Sequence, residues 1–136
     1  MTNRAITFLI VLCLVIIIPR DVRAETKELP KCVVTTHCVR ESFKVNNVEI
    51  AFKKAAKIVS ETPRTKIVEQ TNTFIHAEAK TKWRRYTDDF LLKAIPEKKI
   101  IQVRSESRVG IGDNGVNKKR VDNFSYRLMT ELDTTS

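Results

Sequence analysis

Hydrophobic and polar residues alternate over a long central stretch of the chain, from Thr65 to Arg108. A period of two is typical of β-strands that are buried on one face. Short polar links interrupt the pattern, which predicts four strands over Thr65–Thr71, Thr73–Lys82, Tyr86–Ile95 and Lys99–Arg108. Because these links are short, neighbouring strands are expected to form hairpins and therefore an antiparallel sheet.

The same alternation assigns side chains to faces of the fourth predicted strand. Arg104 and Arg108 are four residues apart and share one face, whereas Ser105 and Ser107 point the other way. In the second predicted strand the polar face carries His76, Glu78 and Lys80. Whether the two polar sets share a face of the sheet depends on strand register, which the sequence leaves open.

On both sides of the predicted strands, the apolar residues recur with the three- and four-residue spacing of a helix. Asn46 or Asn47 can cap a first helix, and Pro63 ends it. Its apolar stripe comprises Val48, Ala51, Phe52, Ala55, Ile58 and Val59. After a glycine-rich loop, Asn117 can cap a last helix. The apolar stripe of that helix comprises Val121, Phe124, Leu128 and Leu132.

The order of elements is therefore helix, four strands and helix, which predicts an α+β fold. Neither amphipathic helix can bury its stripe alone, and neither can the sheet. The expected arrangement is a four-stranded antiparallel sheet with both helices packed on one face. The opposite face is then left to water or to a ligand.

The N-terminal 24 residues have the layout of a secretory signal peptide. A short basic start precedes an uncharged run over Ala5–Ile18, and Val22-Arg23-Ala24 offers a cleavage site. The run of 14 residues is short for a membrane span, which needs about 20. The alternative is an uncleaved N-terminal anchor. Residues 25–136 are then a single domain, expected in the periplasm or outside the cell, either free or associated with the membrane.

The chain is basic, with a formal net charge of +9. Residues 1–24 hold three of the 25 cations and one of the 16 acids, so the remainder carries +7. A basic exported domain favours anionic partners such as phospholipid headgroups or small anions. The alternative is that the charge serves solubility alone. Nucleic acid is not expected as a partner, because export removes the chain from most of it.

Two cysteines, Cys32 and Cys38, remain after the leader. In an oxidising compartment they are expected to form a disulfide. The alternative is a metal site that adds His37, but this spacing does not match a zinc motif, and no second cysteine pair follows. No cofactor is expected.

The segment from Arg104 to Arg120 is the strongest candidate for a binding site. Arginine forks suit phosphate or carboxylate, and a glycine-rich turn with a helix start can add backbone donors. Cations at a helix N-terminus oppose the helix dipole, which an anionic ligand would explain. The candidate ligand-binding residues are His76, Arg104, Arg108, Asp113, Asn117, Lys118 and Arg120. The alternative is that the arginines pair with the chain's own carboxylates, namely Glu78, Asp88, Asp89 or Asp113.

Two further functions stay open. The first is a hydrolase-like enzyme in which His76 works with Asp88 or Asp89, although no serine lies in a Gly-x-Ser-x-Gly elbow. The second is a structural or interaction protein of the cell envelope. In that case Lys82, Arg84 and Arg85 around Trp83 meet a membrane surface or a protein partner. The residue types favour binding over catalysis.

Several of these motifs together resemble one family. They are the two cysteines, Phe74–Glu78, Tyr86–Asp89, the Arg-Ser-x-Ser-Arg-x-Gly run from Arg104, and Asp-x-Gly-x-Asn-x-x-Arg from Asp113. The combination resembles domain-of-unknown-function family 1499 over about residues 32–131. The resemblance implies an exported or envelope protein and implies no particular activity.

Overall fold

The computed structural model describes residues 28–110 and 112–134. The predicted leader, residues 1–24, lies outside the described residues. In chain order the elements are strand β1 (Cys38–Lys44), helix α1 (Val48–Glu61), strands β2 (Thr65–Gln70), β3 (Phe74–Lys80) and β4 (Thr87–Ile95), a 3-10 turn (Pro96–Lys98), strand β5 (Ile100–Ser107) and helix α2 (Val116–Asp133).

The sheet has five strands in the order β1-β5-β4-β3-β2, and all neighbours are antiparallel. The prediction of four strands is therefore wrong, although the α+β class is correct. The missed strand, β1, lies at one edge and pairs with β5. Only Val39 and Phe43 of β1 pack against the core, and the charges of Arg40 and Glu41 interrupt its hydrophobic signal. Charged residues are common on edge strands because they discourage pairing with other chains.

One face of the sheet, called the inner face here, is covered by both helices. Its apolar side chains lie in register across the three central strands, with Ala77 beside Phe90, and Leu92 between Ile75 and Val103. The helices bury their predicted stripes against this layer. Ala51, Phe52, Ala55, Ile58 and Val59 of α1 are buried, as are Val121, Phe124 and Leu128 of α2.

The start of α1 follows its predicted local chemistry. The side chain of Asn47 accepts a hydrogen bond from the backbone N–H of Ile50 at 3.0 Å. This is the N-cap interaction that satisfies an otherwise unpaired donor of the first turn. Of the two asparagines that the sequence offered as caps, Asn46 and Asn47, it is therefore Asn47 that caps α1.

The opposite, outer face is partly covered by the first described residues. The backbone N–H of Leu29 donates to Oε1 of Gln102 at 2.9 Å, and both residues are buried. Glu28 pairs with Arg40 at 2.7 Å and also with Lys98. The next residues are held by a disulfide between Cys32 and Cys38, which confirms the predicted bridge. In the ranges described, no helix is both long and apolar enough to cross a membrane.

Candidate functional site

The loop between β5 and α2 ends in a cap supplied by Asp113. Its Oδ1 accepts from the backbone N–H of Gly115 at 2.9 Å, and its Oδ2 accepts from that of Asn117 at 2.7 Å. Burial opposes the charge of Asp113, but these hydrogen bonds outweigh it and lower the pKa of the carboxyl. The N–H groups of Gly115, just before the helix, and of Asn117, in its first turn, are therefore already satisfied by the chain's own carboxylate.

Asn117 is not the cap of α2, so that prediction is wrong. The helix begins at Val116 after Gly115, which takes a left-handed conformation with φ 77°. Asn117 lies one position inside the helix and is fully buried. Its Nδ2 donates to the carbonyl of His37 at 3.0 Å and to Oγ of Ser107 at 2.8 Å. The residue fixes α2 to the sheet rather than capping the helix.

Arg120 lies one turn further along α2 and faces the sheet. Its Nη2 donates to Oδ2 of Asp88 at 2.7 Å, and its Nη1 donates to Oγ of Ser105 at 2.9 Å and Oδ1 of Asn117 at 2.8 Å. Ser105 in turn donates to Oδ1 of Asn117 at 2.5 Å. Asp88, Ser105, Ser107, Asn117 and Arg120 form one connected set, called the inner polar network below.

The inner polar network forms part of one wall of an open cleft of about 970 Å³. The cleft lies between the end of α1, the β3–β4 loop and the β5–α2 loop, and Asp88, Ser107 and Arg120 line it. Asp88 is completely buried, and its Oδ1 has no hydrogen-bond partner among the described residues. The second acidic residue of the lining is Asp113, which is engaged at the helix start.

The remaining charged lining residues are all cationic. They are Arg64, Lys80, Lys82, Arg84 and Lys119. Within residues 28–110 and 112–134, none of these five forms an ion pair with a carboxylate. They are called the cleft cations below. A concave surface with this charge focuses a positive potential and attracts anions.

Aromatic side chains lie beside these cations in the β3–β4 loop. Trp83 is 87% exposed and Tyr86 is 45% exposed, and both line the cleft. The ammonium group of Lys82 lies 5.3 Å from the centroid of the Trp83 ring. The loop therefore offers a flat apolar surface next to positive charge.

A second polar network lies across the sheet, on the outer face. The guanidinium of Arg108 donates to Oδ1 and Oδ2 of Asp89 at 2.6 and 3.0 Å, and to Oε1 of Glu78 at 2.7 Å. Nε2 of His76 lies 2.7 Å from Oδ1 of Asp89. The hydrogen bonds from Arg108 lower the pKa of Asp89 and outweigh its partial burial, with a smaller contribution from His76. These residues are called the outer network below.

The structure divides the seven predicted ligand-binding residues between the two sides of the sheet. His76, Arg104 and Arg108 are on the outer face, where Arg104 pairs with Glu106 at 2.8 Å. Asp113 and Arg120 line the cleft, and Asn117 lies behind its wall. Lys118 points away from the cleft and pairs with Glu41 at 3.4 Å and with Asp122. A single ligand cannot contact all seven.

The residues suggested for a hydrolase are divided in the same way. Asp88 and Asp89 are neighbours in β4, so their side chains point to opposite faces. His76 meets only Asp89, and no hydroxyl or thiol among the described residues is hydrogen-bonded to it. Nor does the described part of the chain bring three or more His, Cys, Asp or Glu side chains into an arrangement that could hold a metal ion.

Sequence reasoning missed the cleft and the role of Asp88 in it. The signal for Asp88 was present, because a period of two places it on the face of Phe90, Leu92 and Ala94. A carboxylate on an apolar face needs a buried partner. Arg64 and Lys119 had no such signal, since they come to line one cleft only through the tertiary fold.

No curated protein matches the chain at a significant level. The family described as protein of unknown function (DUF1499) matches residues 24–128. This range includes the outer network, the inner polar network and the loops around the cleft. It covers more than half of the 136 residues and agrees with the resemblance seen in the motifs. The chain belongs to the DUF1499 family.

Proposed function

We propose that this protein is a non-catalytic binding module that takes an anionic ligand, a phosphate or a carboxylate, in the cleft. The observation that carries the proposal is the set of five cleft cations, which have no carboxylate partner among the residues that the structure describes. On the outer face, by contrast, Arg40, Arg104 and Arg108 each pair with an acid of the chain.

Grouped cations repel one another, and the two carboxylates of the cleft do little to offset this. Asp88 is already paired with Arg120, and Asp113 binds backbone N–H groups. An anion bound near Arg64 and Lys119 reduces the repulsion and gains charge-assisted hydrogen bonds. The electrostatics of the cleft thus favour a negatively charged occupant.

Arg120 has a supporting role in this proposal. Both of its terminal nitrogens are used within the inner polar network, so its fork is not free for a ligand. It holds the start of α2 against β4 and so fixes the position of Lys119, its neighbour on the helix. The ligand contacts then come from the cleft cations and from the exposed amide of Asn123, which also lines the cleft.

The test is isothermal titration calorimetry, in which inorganic phosphate, glycerol phosphate and sulfate are each titrated into the full chain. Lys119→Glu is expected to weaken binding at least about tenfold, since it replaces a charge-assisted contact with a repulsion. Lys44→Glu is the matched control. It changes the net charge equally, but Lys44 is an exposed residue of β1 that does not line the cleft.

The outcome separates three explanations. Equal losses in Lys119→Glu and Lys44→Glu would mean that only the total charge matters, and would overturn the cleft as the site. Arg108→Gln probes the outer network and is expected to leave binding unchanged. If Arg108→Gln abolishes binding and Lys119→Glu does not, the ligand binds on the outer face instead.

We also propose that the domain works in the periplasm or outside the cell. The Cys32–Cys38 disulfide supports this, because such bonds persist in oxidising compartments. The sequence of residues 1–24 supports it as well. Fractionation of cells that express the full chain, with mass spectrometry of its N-terminus, tests the proposal. Recovery of uncleaved protein from the cytosol with free thiols would contradict it.

A further inference from the structure

A second concavity lies directly beside the cleft. It is an apolar pocket of about 360 Å³ between the end of α1, the middle of α2 and strand β4. Its buried lining residues are Ile58, Val59, Phe90 and Phe124. The rings of Phe90 and Phe124 meet edge to face, with centroids 5.4 Å apart. None of these four side chains has a polar atom, so this part of the pocket favours hydrocarbon, while Tyr126 and Arg127 complete the lining.

The pocket and the cleft share a wall. Five residues line both: Thr62, Pro63, Thr65, Arg120 and Asn123. A ligand whose charged group lies among the cleft cations therefore has apolar space next to that group. The volume of the pocket is within the range of small-molecule sites, about 300–1,000 Å³.

We infer that the ligand is a single-chain anionic amphiphile, such as an alkyl phosphate, a fatty acid or a lysophospholipid. This inference rests on the proposed function and names the ligand class of the same site. The anionic group binds near Arg64 and Lys119, and the hydrocarbon chain passes Thr62 and Asn123 into the apolar pocket. The two cavities are complementary to the two ends of such a molecule, whereas a free inorganic anion can use only the cleft and a neutral lipid only the pocket.

The experiment is a series of n-alkyl phosphates from methyl to octyl, each below its micelle concentration, titrated into the full chain. Affinity is expected to rise about fourfold for each methylene that enters the pocket, until the chain fills it. Octanol, which lacks the anion, is expected to bind at least tenfold more weakly than octyl phosphate. The quantity compared is the dissociation constant of methyl phosphate divided by that of octyl phosphate. Because both ligands carry the same charged group, this ratio reports on the hydrocarbon chain alone.

Two substitutions test the place of the chain. Val59→Phe fills the pocket and is expected to reduce the ratio more than tenfold, and Val59→Ile is a smaller step for use if the larger variant fails to fold. The control is Ser60→Phe, because Ser60 is exposed on α1 and lines neither cavity. It is expected to leave the ratio unchanged.

Each contrary result has a distinct meaning. Equal binding of methyl and octyl phosphate would overturn the amphiphile inference and leave the anion site standing. A high ratio that Val59→Phe and Val59→Ile do not reduce would overturn the apolar pocket as the place of the chain. Failure of every phosphate to bind, or equal binding of octanol and octyl phosphate, would overturn the proposed function itself.

Discussion

Nη2 of Arg120 lies 2.7 Å from Oδ2 of Asp88, and this contact joins α2 to β4 across 32 residues of sequence. One residue further along β4, Asp89 makes the corresponding contact with Arg108 on the opposite face. Two adjacent carboxylates thus anchor two arginines on the two sides of one strand. The environments differ, because the side chain of Asp88 is 1% exposed whereas that of Asp89 is 26% exposed.

The burial of Asp88 predicts a large loss of stability in Asp88→Asn. The change leaves Arg120 without its charged partner in a buried setting, which costs about 3 kcal/mol. Asp89→Asn is the matched control, since it makes the same chemical change at the neighbouring residue. Its expected cost is about 1 kcal/mol or less, because water screens the outer network.

Urea unfolding at neutral pH measures both values, as the difference in the free energy of unfolding from the unchanged chain. Equal losses in the two variants, or a larger loss in Asp89→Asn, would contradict the assignment of Asp88 to a buried network.

The carboxylates of Glu28, Asp89 and Asp113 predict a loss of stability in acid. Hydrogen bonds from Lys98 and Arg40 lower the pKa of Glu28 from 4.5 to about 2, and the pKa values of Asp89 and Asp113 are also lowered. Between the unfolded and folded pKa values the unfolded chain binds more protons. The free energy of unfolding therefore falls as the pH decreases from about 4.5 to about 2.

Removal of the Arg108 guanidinium should reduce this dependence on pH. Arg108→Gln takes away the main cause of the low pKa of Asp89, so its stability curve is expected to be flatter in acid. Arg127→Gln is the control, because Arg127 pairs with Glu61 at 3.0 Å and contacts none of the three carboxylates. Urea midpoints from pH 2 to 7 give the comparison, and parallel curves for Arg108→Gln and the unchanged chain would refute the prediction.

The left-handed turn at Gly115 predicts a backbone effect. A side chain at φ 77° is strained even though no atom lies within 4 Å of the position of its Cβ, so Gly115→Ala is expected to destabilise the fold by about 1 kcal/mol. Gly112→Ala is the matched control, because its Cβ would meet only the Thr36 carbonyl at an ordinary 3.8 Å. Thermal unfolding distinguishes them, and equal melting temperatures would contradict the assigned turn.

Trp83 is the only tryptophan of the chain, so its fluorescence reports on the cleft. With 87% exposure it is expected to emit as a water-exposed indole and to be quenched readily by iodide. Trp83→Ala should change the free energy of unfolding by less than about 0.5 kcal/mol, since the ring buries little area. Resistance to iodide before any ligand is added would contradict the exposed loop.

The sequence predicted most elements of the fold because their signals are local. The alternation from Ile75 to Ala79, the cap at Asn47 and the stripes of both helices each depend on residues a few positions apart. β1 was not predicted, because its own residues are largely polar. Its place in the sheet is set by pairing with β5, about 60 residues away. Asn117 was wrongly predicted as a cap because the helix begins one residue before it, and Asp113 accepts from its backbone N–H.

The candidate site could be predicted only in part. Periodicity correctly separated Arg104 and Arg108 from Ser105 and Ser107, and pairing of Arg108 with Glu78 and Asp89 was among the alternatives considered. The cleft was missed, because it is formed by loops whose mutual distance depends on the twist and register of the sheet. No local pattern carries that information.

The Cys32–Cys38 bond ends one residue after His37, whose carbonyl accepts from the side chain of Asn117 and from the backbone of Ser107. The crosslink thereby restrains an acceptor on which a fully buried amide depends. Thiol reductants would consequently first loosen the wall behind the cleft, while the central strands keep their pairing.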